Sequence, residues 1–131
     1  MLITLLPVFA GNERLIGAWK SNRDTTVAYL KIHTNLSSQQ LDLVSQALGK
    51  TTITFDKANV TIASDDWKFT SSYKIISESK NSMMIESQDP GTQKLTQTVF
   101  ELDRIGFWTS DDRIPGYKER FEKLVQKQDG S

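Results

Sequence analysis

Two pairs of adjacent carboxylates, Asp65-Asp66 and Asp111-Asp112, are the first residues in this sequence whose type and spacing suit chemistry. A glycosidase needs two carboxyls converging on one bond, one of them in surroundings that raise its pKa. Both pairs stand in segments that read as turns, where aspartates cap backbone N–H groups, and turn capping is their expected role. His33 is the single histidine. It falls in Lys31-Ile32-His33-Thr34, at the end of an expected helix, where a cation meets the helix dipole favourably. The chain contains no cysteine, so a thiolate nucleophile, a disulfide and a thiolate metal site are excluded, and one histidine leaves no conventional zinc cluster. Serines and threonines are plentiful, yet no Gly-x-Ser-x-Gly elbow occurs. No Ser-x-x-Lys is accompanied by its companion motifs. The 7 glycines form neither a phosphate loop nor a dinucleotide fingerprint. The expectation is a protein without catalytic residues, metal or cofactor, with an unrecognised hydrolase as the weakest alternative.

Aromatic residues are the second candidate chemistry. Trp67, Phe69 and Tyr73 recur at even spacing and share one face of an expected strand. Phe100 belongs to a second alternating segment with Thr96, Thr98 and Leu102. Such a face either packs as core or, where a sheet closes around a cavity, lines an apolar pocket. Phe107 and Trp108 fall on opposite faces of their strand. Trp108 precedes Thr109-Ser110-Asp111-Asp112-Arg113, which places it near a loop rim. A rim aromatic beside charges is what protein interfaces favour, so Trp108, Arg113 and Tyr117 form a candidate interaction site.

These residues must be positioned by a small framework. The length, 131 residues, suits a single domain. Sixteen basic residues balance sixteen acidic ones for a net charge of zero, which argues against a strongly basic nucleic-acid binder or a polycationic membrane-surface protein. Residues 1–10 are apolar, and Val8-Phe9-Ala10 resembles a small-residue cleavage site. The segment fits either a remnant of a signal peptide, lacking the usual positive start, or an apolar N-terminal arm. It is too short to span a bilayer. A signal remnant would place the protein in the periplasm or outside the cell, and an arm would leave it cytoplasmic. Residues 11–131 then make one domain.

The order of elements can be read along that domain. Leu15 to Lys20 suits a first strand, and Ser21-Asn22-Arg23-Asp24 supplies N-cap residues. Val27, Leu30 and Thr34 predict a helix to His33, against the β-branched Thr25, Thr26 and Val27. Ser37 and Gln40 have capping-box spacing, and Leu36 and Leu41 are placed for a hydrophobic staple. Leu41, Val44 and Leu48 form a stripe that covers an end or a face of the domain, and Gly49 suits the stop. Beyond Gly49 the period becomes two. Strands are expected at Thr51–Phe55, Val60–Ala63, Trp67–Ile75, Met83–Ile85, Thr96–Leu102, Ile105–Thr109 and Tyr117–Leu124, with turns at Asp89-Pro90-Gly91 and Ile114-Pro115-Gly116. The expected fold is mainly β: an antiparallel barrel or half-barrel with one or two helices between the first and second strands.

Gly17-Ala18-Trp19 on the first strand resembles the Gly-x-Trp signature of lipocalins, and the layout is similar to a small bacterial lipocalin-like, calycin-type domain. Two helices after the first strand also look like the intracellular fatty-acid-binding proteins, whose helical hairpin lids the barrel. The resemblance implies that Gly17, Trp19 and Arg120 close the barrel base, with the Arg120 guanidinium packed over the Trp19 ring. The fatty-acid-binding family's Arg-x-Tyr is not matched, because Glu122 stands where its tyrosine would be. The expected function is non-enzymatic binding of an apolar or amphipathic small molecule, with Trp67, Phe69, Tyr73, Phe100 and Arg120 as ligand contacts. A protein-interaction role, as an inhibitor or accessory protein of the cell envelope, is the alternative. Neither nucleic acid nor a transmembrane segment enters either expectation.

Overall fold

A computed structural model describes residues 11–111 and 114–124. The apolar segment 1–10 and Asp112 and Arg113 lie outside the described residues. Eight strands form a closed barrel in which every neighbour in sequence is a neighbour in space. They are β1 (Gly17–Ser21), β2 (Thr52–Phe55), β3 (Asn59–Ala63), β4 (Lys68–Glu78), β5 (Ser82–Gln88), β6 (Leu95–Leu102), β7 (Gly106–Ser110) and β8 (Lys118–Lys123). All pairs are antiparallel, and β8 returns to β1 with Trp19 opposite Lys123 and Ser21 opposite Phe121. Closure removes the sheet edges that a half-barrel would leave open. The expected mainly β architecture, with helices between the first and second strands, is what the chain adopts. None of its helices, among the described residues, is long and apolar enough to cross a membrane.

Period-two alternation sends one set of side chains inward. Trp19, Ile53, Phe55, Val60, Met83, Ile85, Phe100, Phe107 and Phe121 are buried and form one core cluster with Leu15. The lower half of the barrel is filled by rings: Phe107 stacks on Phe100 at 4.5 Å and on Phe121 at 5.4 Å, with Trp19 tilted against it at 5.0 Å. Each such pair adds about 0.5–1.5 kcal/mol beyond area burial. Gly106 permits this packing, since a Cβ there would collide with the Phe121 carbonyl oxygen on the neighbouring strand.

A short 3-10 turn, Gly11–Arg14, seals this end. Arg14 donates to Glu78 and to the carbonyls of Ser79 and Lys80 at the β4–β5 turn. The fully buried Leu15 follows, and the Trp19 indole N–H donates to its carbonyl at 2.9 Å. A buried indole thus finds the partner it needs.

Helix α1 (Arg23–His33) starts at Asn22, whose side chain accepts from the Thr25 N–H. Its buried residues are Thr26 and Leu30, one turn apart on one face. Thr26 explains why a β-branched residue sits in this helix. Its hydroxyl accepts the Arg120 backbone N–H at 3.0 Å, while the Asn22 N–H donates to the Arg120 carbonyl at 2.8 Å. The start of α1 therefore carries on the hydrogen bonding of β8 where β1 stops. Helix α2 (Ser38–Ala47) has the expected capping box, with Gln40 N–H on the Ser37 hydroxyl and Ser37 N–H on the Gln40 side chain. It buries no residue of its own. Instead Leu48, just past its end, is buried.

Candidate functional site

The unfilled half of the barrel is the candidate site. Above the aromatic stack lies a cavity of about 610 Å³, open at the end where β1 hands over to α1. That volume is within the roughly 300–1,000 Å³ range of small-molecule sites. Its floor and lower wall are apolar: Ile53 and Phe55 from β2, Val60 and Ile62 from β3, Ile85 from β5, Phe100 from β6 and Phe121 from β8. Its upper wall is a belt of hydroxyls, from Thr51 through Ser87, Thr96 and Thr98 to Thr109 and Ser110. The floor side chains are buried or half-buried hydrophobics at inward strand positions, and most of the belt comes from inward positions nearer the mouth. Ile85 is opposite Thr98, and Ser87 is opposite Thr96.

Charge in this cavity, among the described residues, has one sign. Among the described lining residues the charged groups are Asp89, Asp111 and Glu119. Asp89 is occupied as a turn cap, with the Gly91 and Thr92 N–H groups on its Oδ2. Glu119 is different. It projects inward from β8, and its Oε2 accepts from the Ser21 hydroxyl at 2.6 Å. Ser21 in turn accepts the Gly49 N–H at 3.0 Å, so its proton is directed at the carboxylate. Burial pushes the Glu119 carboxyl above its ordinary pKa, and the Ser21 bond opposes that shift. Tyr117 stands at the rim, and burial, then the nearby charges of Glu119 and Asp111, hold its phenol protonated well beyond the usual range.

The aromatic residues expected to bind a ligand are distributed differently. Phe100 lines the cavity. Tyr73 packs edge-on against Phe55 at 5.0 Å, with its hydroxyl on the Asp56 carbonyl at 2.8 Å, near the sealed end. Phe69 is half-buried opposite Ile62, and Trp67 is 47% exposed beside the β3–β4 turn. Arg120 is buried on the outer face of β8 rather than in the cavity. Its neighbour Phe121 points inward, so by strand alternation Arg120 points out. There it makes a bidentate pair with Asp103 at 2.7 and 2.9 Å and lies over the Trp108 ring at 5.5 Å.

This corrects the expected barrel closure. The cation over the Trp19 ring is Lys123, with its ammonium 5.4 Å from the ring centroid. Lys123 is three residues beyond Arg120, an odd number, and therefore on the opposite face of β8. Gly17 is constrained by backbone and space: its φ is +131°, and a Cβ there would stand 3.0 Å from Lys123 Cε.

Of the candidate interaction residues, Trp108 is half-buried on the outer face, between Arg120 and the Tyr29 ring 5.0 Å away on α1. Tyr117 faces the cavity rim, and Arg113 is outside the described residues. The two helices do not lid the cavity in the manner the resemblance implied. α1 rests on the outer face of β7 and β8, where Tyr29 also stacks on His33 at 3.9 Å. Asp65 and Asp66 are exposed in the β3–β4 turn. Sequence reasoning did not single out Glu119 or Ser21. The available signal was alternation, since Glu119 is one inward step from Phe121, but a charged residue at an inward position reads as an exception rather than as a site.

No family model, curated protein or solved structure matches the chain.

Proposed function

We propose that this protein is a non-enzymatic binding module that takes an amphipathic small molecule into the open half of its barrel. The observation that supports this most strongly is the division of the interior. One half is packed with rings and sealed by the 3-10 turn, while the other is an open cavity of about 610 Å³ with an apolar floor and a belt of hydroxyls. An apolar floor with a few convergent polar groups is the common design of small-molecule sites. Two further features favour kinship with lipocalin-like barrels: Gly17 and Trp19 on the first strand, and a cation on the last strand packed over that tryptophan.

The test is occupancy of the cavity. The neutral fluorescent probe N-phenyl-1-naphthylamine is titrated into the protein and into a Thr98→Trp variant. Thr98 is half-buried in the cavity wall rather than in the aromatic stack. The expected result is saturable binding to the wild-type protein that falls at least tenfold in the variant while its circular dichroism and melting point are retained. Equal binding to both proteins places the probe elsewhere and overturns the proposal.

A further inference from the structure

Resting on that cavity as a binding site, we propose that its ligand carries a positively charged nitrogen, an amine or a related cation, on an apolar body, and that Glu119 receives it. Three observations converge on this. The charged groups lining the cavity, among the described residues, are carboxylates alone. Glu119 is set inside the wall rather than on the rim, and among the described residues its sole hydrogen-bond partner is Ser21. That partner fixes one carboxylate oxygen and leaves Oε1 without a donor among the described residues.

A half-buried carboxylate with no cation beside it among the described residues is unfavourable for the free protein, because charge taken from water must be compensated. Ser21 offsets only part of this. The barrel keeps the group regardless, and a ligand cation supplies what is missing: a charge-assisted hydrogen bond at Oε1 in surroundings less screened than water. Seated there, the rest of the ligand extends down to Ile85, Phe100 and Phe121. The same geometry discriminates against a fatty acid. A ligand carboxylate would meet Glu119, with no lysine or arginine among the described lining residues to receive it.

The experiment uses three probes of equal chain length, decylamine, decanol and decanoate, each titrated calorimetrically near neutral pH below its micelle concentration. Decylamine is expected to bind at least tenfold more tightly than decanol, and decanoate more weakly than decanol. Glu119→Gln keeps the shape and an acceptor for Ser21. It is expected to reduce decylamine affinity at least tenfold, toward that of decanol, while decanol binding stays unchanged and reports an intact cavity. Decanol binding with no advantage for decylamine, or an advantage that survives Glu119→Gln, overturns the cationic assignment and leaves the binding cavity standing. Failure of all three probes to bind overturns the cavity reading itself, and this inference falls with it.

Discussion

Lys123 and Trp19 are register partners across the seam where the last strand meets the first, with the lysine ammonium 5.4 Å from the centre of the indole ring. Lys123 has the parity of the inward Phe121, so both side chains stand on the inner face at the base of the barrel, where the indole N–H is held by the Leu15 carbonyl. The ring is 5% exposed, so its burial and the cation above it act on very different scales. A cation–π contact made by an exposed lysine such as Lys123 contributes about 0.5–1 kcal/mol, whereas deleting a buried tryptophan costs about 3–5 kcal/mol. Trp19→Ala is therefore expected to lose most of the stability of the domain, and Lys123→Met only a few tenths to one kcal/mol, roughly the strength of one such contact. Urea denaturation measures both, and equal losses in the two variants would show that the ring is not packed as described.

Acid stability should depend on the outer-face pair of Asp103 and Arg120. The Arg120 guanidinium holds the Asp103 carboxyl down at about 2, from an ordinary 3.8. A carboxyl with a lowered folded pKa stabilises the native state above its unfolded pKa, and that contribution disappears as pH falls through the folded value. Melting temperature measured between pH 5 and pH 2 should thus fall more steeply for the wild-type protein than for Asp103→Asn. At pH 7 the variant should be the less stable of the two. Since the Asp103 side chain is 49% exposed, the difference is small and shrinks in high salt.

Glu119 has the opposite sign. Burial raises its folded pKa above the ordinary 4.5, so the native state binds the proton more tightly than the unfolded chain does. Stability then declines as pH rises from the unfolded pKa through the folded one. Without ligand, Glu119→Gln should melt at a higher temperature than the wild-type protein at pH 7.5, and the gap should close toward pH 4. A variant that melts lower at neutral pH would mean that the carboxylate is fully compensated by its protein neighbours.

Much of this barrel was legible in its sequence, because strands and helices announce themselves by period. The switch at Gly49 from a 3.6 to a period-two pattern and the capping box of Ser37 and Gln40 both correspond to what forms. Two kinds of information were not legible. One is registration across the closing seam, which decides that Lys123 rather than Arg120 meets Trp19. A motif fixes residue types, but strand parity decides which face each occupies. The other is how far the side chains fill the barrel. Trp67, Phe69 and Tyr73 share a face in sequence, yet the exposed Trp67 lies at the turn, Tyr73 packs toward the sealed end, and the cavity is lined mainly from other strands. Nor does a pattern of apolar and polar residues reveal that an inward glutamate is held by a serine on a strand nearly a hundred residues earlier, because that contact exists only after closure.

Native mass spectrometry of the protein isolated gently from its own source tests the central claim most directly. A binding barrel should carry an additional small-molecule mass that is lost on denaturation, and the mass should correspond to a compound with an apolar body. A mass accounted for by the polypeptide alone, or by the polypeptide with another protein chain, would contradict the binding-module account.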